Sequence, residues 1–256
     1  MLYRKLYGRR LAGRIACAIA LAAAGALALA PASANAATPN AGAAPPAPPK
    51  TVYAITFSGD SALYSLSPRS RTGARKGSTG AELTDITFRG KTLYAISFTD
   101  LYRLNTATGA GHHIGSLGLG TANALVTQPK TNTLYGADEY GDFFKINQKT
   151  GHATVVGTFG GGLGSAGDLT FYDGRLYASV TESGSADSFL AIFNVRTGAA
   201  KIVGNTGYPS VWGLVTGSGA LYGATDGGLF LIISPSTGRA KALWKEGLAV
   251  GGMATP

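Results

Sequence analysis

From Lys50 onward the apolar residues fall into short runs of about four to six, and no stretch keeps a helical period over several turns. The runs are rich in β-branched and aromatic residues and are bounded by Gly, Asn, Asp and Pro, which is the pattern of short strands. LYGA, FFKIN, ATVVG and DLTFY follow one another between Leu134 and Tyr172. LYASV, FLAIFN, KIVG and WGLVT follow in the same order between Leu176 and Thr216. The tyrosines that open these units, Tyr53, Tyr94, Tyr135, Tyr177 and Tyr222, are 41, 41, 42 and 45 residues apart. A period in the low forties marks a repeat architecture in which each unit is one supersecondary element.

Five units of four strands predict an all-β fold, a five-bladed β-propeller with four antiparallel strands per blade. The phase of the two ends supports closure. The first unit opens on its second strand (VYAIT), and the chain ends in VGGMATP, which matches WGLVT and ALVTQP. The C-terminal strand is therefore expected to complete the first blade and leave no free edge. A blade cannot bury its two apolar faces alone, so the five tyrosines read as packing between neighbouring blades. Asn105–Gly109, Asn147–Gly151 and Ser234–Gly238 read as tight turns, each closed by a Thr-Gly pair.

Composition changes this picture mainly at the N-terminus. Arg4, Lys5, Arg9, Arg10 and Arg14 precede an apolar run, Ile15 to Ala30, and a small-residue cleavage motif at Ala34-Asn35-Ala36. This is a secretory leader, and the run is shorter than the ~20 residues of a spanning helix. Residues 1–36 are thus expected to be removed, 37–50 (five prolines) to form an extended tether, and 51–256 to form the propeller. The only cysteine, Cys17, leaves with the leader, which removes thiol chemistry and disulfides from the mature chain. Five of the 22 basic residues leave as well, so 17 face 13 acidic ones and the net charge drops from +9 to +4. That balance, with no exposed aromatics interleaved among the basic residues, argues against nucleic acid as a partner.

The repeat resembles the quinoprotein-like and WD40-like propellers common in secreted bacterial proteins, although the Trp-Asp dipeptide of the latter is missing. In having five short blades the chain is similar to the tachylectin-type lectin. The resemblance spans Val52 to Pro256 and is one of architecture. A quinone cofactor fits poorly, because TGRAKALW (Thr237 to Trp244) occurs once and its tryptophan spacing departs from the quinoprotein pattern.

Naming the strands of a blade a to d from the axis outward, with the tyrosine strand as b, places connections b–c and d–a on one face and a–b and c–d on the other. Twelve of the 13 acidic residues then fall on the first, or loop, face. They are Asp60, Asp100, Asp138, Glu139, Asp142, Glu182, Asp187 and Asp226 in b–c, and Glu82, Asp85, Asp168 and Glu246 in d–a. The opposite, or turn, face carries Arg69, Arg71, Arg89, Lys91, Lys130, Lys149, Arg175, Arg196 and Arg239 against the single acid Asp173. Turn polarity copied with the repeat is one explanation. The other is a functional dipole, whose acidic face draws cations or polyols and whose basic face rests on an anionic envelope polymer.

Candidate chemistry lies where the repeats differ. Carboxylates beside aromatics suit a carbohydrate or protein ligand, which singles out Asp138, Tyr140, Asp142, Tyr208, Trp212 and Asn123 as ligand-binding residues of a monomeric, secreted binding module. Trp212 reads equally as a plug in the channel. Asp85 (TDITF) and Asp168 (GDLTF) occupy matched positions at the entry to strand a, where they are either caps of backbone groups or the acid pair of a glycosidase- or lactonase-like hydrolase. No cofactor is expected, although calcium is the hard cation that Asp85, Asn123 and Asp168 would suit together. His112, His113 and His152 lie in or beside the outermost strands, so no histidine is expected to meet a carboxylate. Hydrolase, zinc-protease and P-loop motifs do not occur.

Overall fold

The computed structural model describes residues 46–245 and 247–256. The leader, its cleavage site, residues 37–45 of the tether and Glu246 lie outside the described residues. Twenty strands form five four-stranded antiparallel sheets. In blade 1 the order from the axis outward is β20 (Val250–Ala254), β1 (Val52–Thr56), β2 (Ala62–Ser67) and β3 (Thr72–Ser78). Blade 2 is β4 (Asp85–Arg89), β5 (Thr92–Ile96), β6 (Asp100–Leu104) and β7 (Gly111–Ser116). Blade 3 is β8 (Ala122–Thr127), β9 (Leu134–Asp138), β10 (Asp142–Ile146) and β11 (Ala153–Thr158). Blade 4 is β12 (Gly164–Tyr172), β13 (Arg175–Thr181), β14 (Asp187–Phe193) and β15 (Ala200–Pro209), and blade 5 is β16 (Val211–Gly217), β17 (Ala220–Thr225), β18 (Leu229–Ile233) and β19 (Ala240–Lys245).

The ring closes as the phase of the repeat predicts. β1 pairs with β20 in the register Tyr53↔Ala254, Ala54↔Met253 and Ile55↔Gly252. The C-terminal strand thus becomes the inner strand of the first blade, and its ladder hydrogen bonds remove the edge that an open array would expose.

Burial grades from axis to rim, which is why inner strands read as continuous apolar runs and outer ones as polar. VGGMA of β20 is buried throughout, whereas TGARKGS of β3 is exposed or half-buried at every position. Five separate apolar clusters fill the five gaps between blades, and each contains one of the repeated tyrosines. Tyr135, for example, packs with Leu169 and Phe193 of the next blade, and Tyr222 with Val52 and Met253 across the closing seam. Tyr53 meets Phe88 of blade 2 edge-on, with ring centres 5.3 Å apart. Interblade packing is therefore what the repeated tyrosines supply.

The repeated glycines join the blades at the rim. Gly77, Gly115, Gly157 and Gly204 of the outer strands lie against the carbonyls of Thr108, Thr150, Thr197 and Thr237 in the Thr-Gly turn of the following blade. A methyl group at any of the four would overlap that carbonyl oxygen. The turn glycines also need their positive φ, +82° at Gly109 and +83° at Gly151, so one dipeptide serves both turn and interface. The seam between blades 5 and 1 lacks the pair. There the Arg71 guanidinium lies over the Trp244 ring at 5.9 Å.

Pro46–Pro49, read from sequence as the end of the tether, lie on the propeller. The Pro46 carbonyl accepts from the Tyr222 hydroxyl (2.9 Å), the Pro48 carbonyl accepts from Arg69 Nε (2.8 Å), and Pro49 is buried against Gly217.

Candidate functional site

One residue from each inner strand meets at the axis: Asp85, Ala124, Asp168, Gly213 and Gly252. Two carboxyls fit there because the other three positions are Ala or Gly. A methyl group on Gly252 would overlap the Asp85 carboxyl.

Both aspartates are fully buried. Asp85 Oδ1 accepts from Ile86 N–H (2.7 Å) and Oδ2 from Leu125 N–H of blade 3 (2.6 Å). Asp168 Oδ1 accepts from Leu169 N–H (2.6 Å), and Oδ2 accepts from Leu214 N–H of blade 5 (2.6 Å) and Met253 N–H of blade 1 (3.3 Å). Between them the two side chains tie together the inner strands of all five blades. Burial, and after it the Asp168 charge, holds the Asp85 carboxyl well above the usual carboxylate range. Burial also raises Asp168, against the opposing pull of its backbone donors. Both carboxyls are therefore held above the usual range, and two like charges this close titrate as one pair.

Above the pair, at the loop end of the axis, three aromatic rings come together. Phe57 lies edge-on to Trp212 (5.5 Å between centres) and to Phe98 (6.2 Å). All three are half-buried, so each keeps some surface open to solvent. They fit because Gly251 and Gly167 leave room: a Cβ on Gly251 would stand 3.0 Å from the Phe57 Cβ, and one on Gly167 3.1 Å from the Trp212 Cα. Sequence reasoning found Trp212 and missed the two phenylalanines. Each lies four residues after a repeated tyrosine, where the other units carry Glu139, Thr181 and Asp226, and that contrast was the available signal.

Asn123 joins this region and donates from Nδ2 to the Ser165 carbonyl of blade 4 (3.0 Å), while its Oδ1 is buried without a partner. The remaining candidates are spread out. Asp138 is buried and organises its own hairpin. Oδ1 accepts from Tyr140 N–H (3.0 Å) and Asp142 N–H (2.8 Å), and Oδ2 from the Thr121 hydroxyl (3.2 Å). Its counterparts Thr56, Ser97 and Thr225 accept hairpin N–H groups in the same way. Tyr140 is 78% exposed at the hairpin tip. Asp142 is half-buried, and burial followed by the Asp138 charge raises its carboxyl and that of Glu139 above the usual value. Tyr208 packs between blades 4 and 5, with its hydroxyl accepting from Ala242 N–H (3.3 Å).

The expectation for histidine is corrected. His113 Nε2 lies 3.0 Å from Asp100 Oδ1. His113 is opposite Tyr102 in the β6–β7 ladder, which makes Asp100, two residues earlier, its diagonal neighbour on the same face. Burial acts to raise the Asp100 carboxyl, but hydrogen bonds from His113 and Thr99 outweigh it and leave it below its ordinary value. The pair sits on the outer strands, away from the axis. Among the described residues no group of three or more His, Cys, Asp or Glu side chains is arranged to hold a metal ion. The axial aspartates already face backbone N–H dipoles, which oppose a cation there.

No protein-family model matches the sequence, and no curated protein matches it. Solved structures do match in fold. A chain in the nidogen/laminin complex superimposes with a TM-score of 0.56 and 13% identity, over 80% of each chain. An auxiliary nutrient binding protein from Bacteroides thetaiotaomicron superimposes with a TM-score of 0.50 and 13% identity, over 75% of this chain and 54% of that one. At these identities the likeness is one of propeller fold.

Proposed function

We propose that the chain is a secreted, non-catalytic binding module that takes a carbohydrate or protein ligand at the centre of its acidic loop face. The observation that carries this reading is the half-buried triad Phe57, Phe98 and Trp212 at the mouth of the axis. Aromatic rings offer rigid apolar area at low entropic cost, which suits sugar faces and protein side chains alike. Acceptors for a ligand's hydroxyls lie on the same face, among them Glu139 and Asp226 at the positions that match Phe57 and Phe98 in the repeat. A hydrolase centred on Asp85 and Asp168 has less support. A general acid must come within hydrogen-bond reach of its substrate, whereas both carboxyls are fully buried and every oxygen accepts from a backbone N–H. The leader sequence, the protein complex and the nutrient binding protein that share the fold are in keeping with a binding role outside the cell.

A glycan array probed with the chain and with Trp212→Ala tests the carbohydrate form of the proposal. Loss of a buried tryptophan contact corresponds to about a thirtyfold weakening of any glycan signal. A signal indifferent to Trp212→Ala would remove the axial mouth as the site, and no glycan-dependent signal would remove carbohydrate as the ligand.

A further inference from the structure

We propose that the turn face is a docking surface for an anionic lipid bilayer, and that the chain is built to present this face to the membrane and the acidic face away from it. Two independent observations meet here. The first is charge. Every blade contributes at least one base to the turn face, and Arg69, Arg71, Lys91, Lys130, Lys149, Arg175, Arg196 and Arg239 are all exposed. Among the described residues the hydrogen bonds of their side chains go to neutral groups: Arg69 bonds to the Pro48 carbonyl and the Ser218 hydroxyl. The half-buried Arg89 donates to the Asn132 carbonyl, and Asp173 is the one acid among them. The one ion pair among the described residues, His113–Asp100, is elsewhere.

The second observation is the path of the chain. Pro46–Pro49 are held by Tyr222, Arg69 and Gly217, at the ends of strands that open on the turn face. Pro46, where the described residues begin, therefore lies on the basic face. A bilayer that holds the leader during export meets the basic residues first, and attachment at one point raises the local concentration for the second. The basic residues come from the same end of all five sheets, an array spread over the whole face that suits a surface better than a single polymer strand. No large apolar side chain is exposed in these turns. Tyr140 and Val155, the two exposed large hydrophobics among the described residues, lie at a loop-face hairpin tip and in β11. Adsorption is thus electrostatic and does not involve insertion, and it falls off within a Debye length.

The test is sedimentation of the chain beginning at Ala37, the predicted product of leader removal, which contains the whole closed ring. The probes are vesicles of phosphatidylglycerol and phosphatidylcholine, vesicles of phosphatidylcholine alone, and soluble polyglycerol phosphate. Binding should require phosphatidylglycerol and weaken as salt rises. The triple variant Lys91→Glu, Lys130→Glu, Arg175→Glu should lower the partition coefficient about a hundredfold, at roughly a factor of five or more per base near the surface. The control Arg75→Glu, Lys76→Glu, Lys245→Glu makes the same change in net charge away from the turn ends of β3 and β19 and should retain most of the binding. Equal loss in the two triples would show a net-charge effect without a docking face and overturn the proposal. Binding to phosphatidylcholine alone would overturn it too, as would capture by polyglycerol phosphate with no binding to vesicles.

Discussion

Replacing Asp85 by Asn should alter how the stability of the ring depends on pH, in a direction opposite to that of most carboxylates. Burial, and after it the Asp168 charge, holds the Asp85 carboxyl well above the ordinary carboxylate range. In the unfolded chain the same group ionises near pH 3.9. A raised folded-state value means that the stabilisation is complete below the unfolded value and is lost as pH rises toward the folded one. While only the folded state holds the proton, stability declines by about 1.4 kcal/mol per pH unit. The amide introduced by Asp85→Asn does not titrate. Its Nδ2 can still donate to Asp168 and its Oδ1 can still accept one N–H, but one of the two donors, Ile86 or Leu125, loses its acceptor. That costs about 1–3 kcal/mol wherever the wild-type pair is fully formed. The variant should therefore be the less stable protein at pH 5, and the gap should narrow toward pH 8 as only the wild type loses its proton. Urea unfolding of both proteins at pH 5, 6, 7 and 8 at fixed ionic strength reads this directly. Contributions from Asp100, Glu139 and Asp142 are common to both and largely cancel in the difference, whereas Asp168 titrates with Asp85 as a pair and its change is part of what is read. Parallel stability curves would mean that the axial pair does not keep a proton that the unfolded chain has lost.

Two further outcomes follow from the packing. Gly157→Ala should destabilise the propeller by about 1–3 kcal/mol, because the new methyl overlaps the Thr197 carbonyl, and a shift in the denaturant midpoint checks it. Trp212→Ala, the variant that tests ligand binding, should leave unfolding cooperative because its ring is only half-buried and the axial pair beneath is untouched; a broad or early melt would make Trp212 a structural plug.

The architecture was legible because a repeat states it five times. The tyrosine period gave the blade count, and the match of VGGMATP to the other inner strands gave the closure that the Tyr53↔Ala254 register bears out. The dual use of Gly109 and its equivalents was not legible, since the need for positive φ already explains a turn glycine and its neighbour in the next blade is distant in sequence. Asp85 and Asp168 were placed together correctly, but burial at an axis depends on what the other three strands supply, here Ala124, Gly213 and Gly252. Asp138 looked like part of an acidic patch. Reading its column instead of its own loop, with Thr56, Ser97 and Thr225 at the same place, points to the hairpin cap it forms. His113 met Asp100 because of diagonal pairing across a ladder, which a strand-by-strand reading passes over.

The account rests above all on the last strand. Removing Val250–Pro256 takes away the partner of β1, the Met253 N–H that Asp168 accepts, and part of the cluster around Tyr222. Thermal unfolding of the shortened chain should lose its single sharp transition and begin well below that of the whole chain. An equally sharp melt at an unchanged temperature would contradict a ring closed by its own C-terminus.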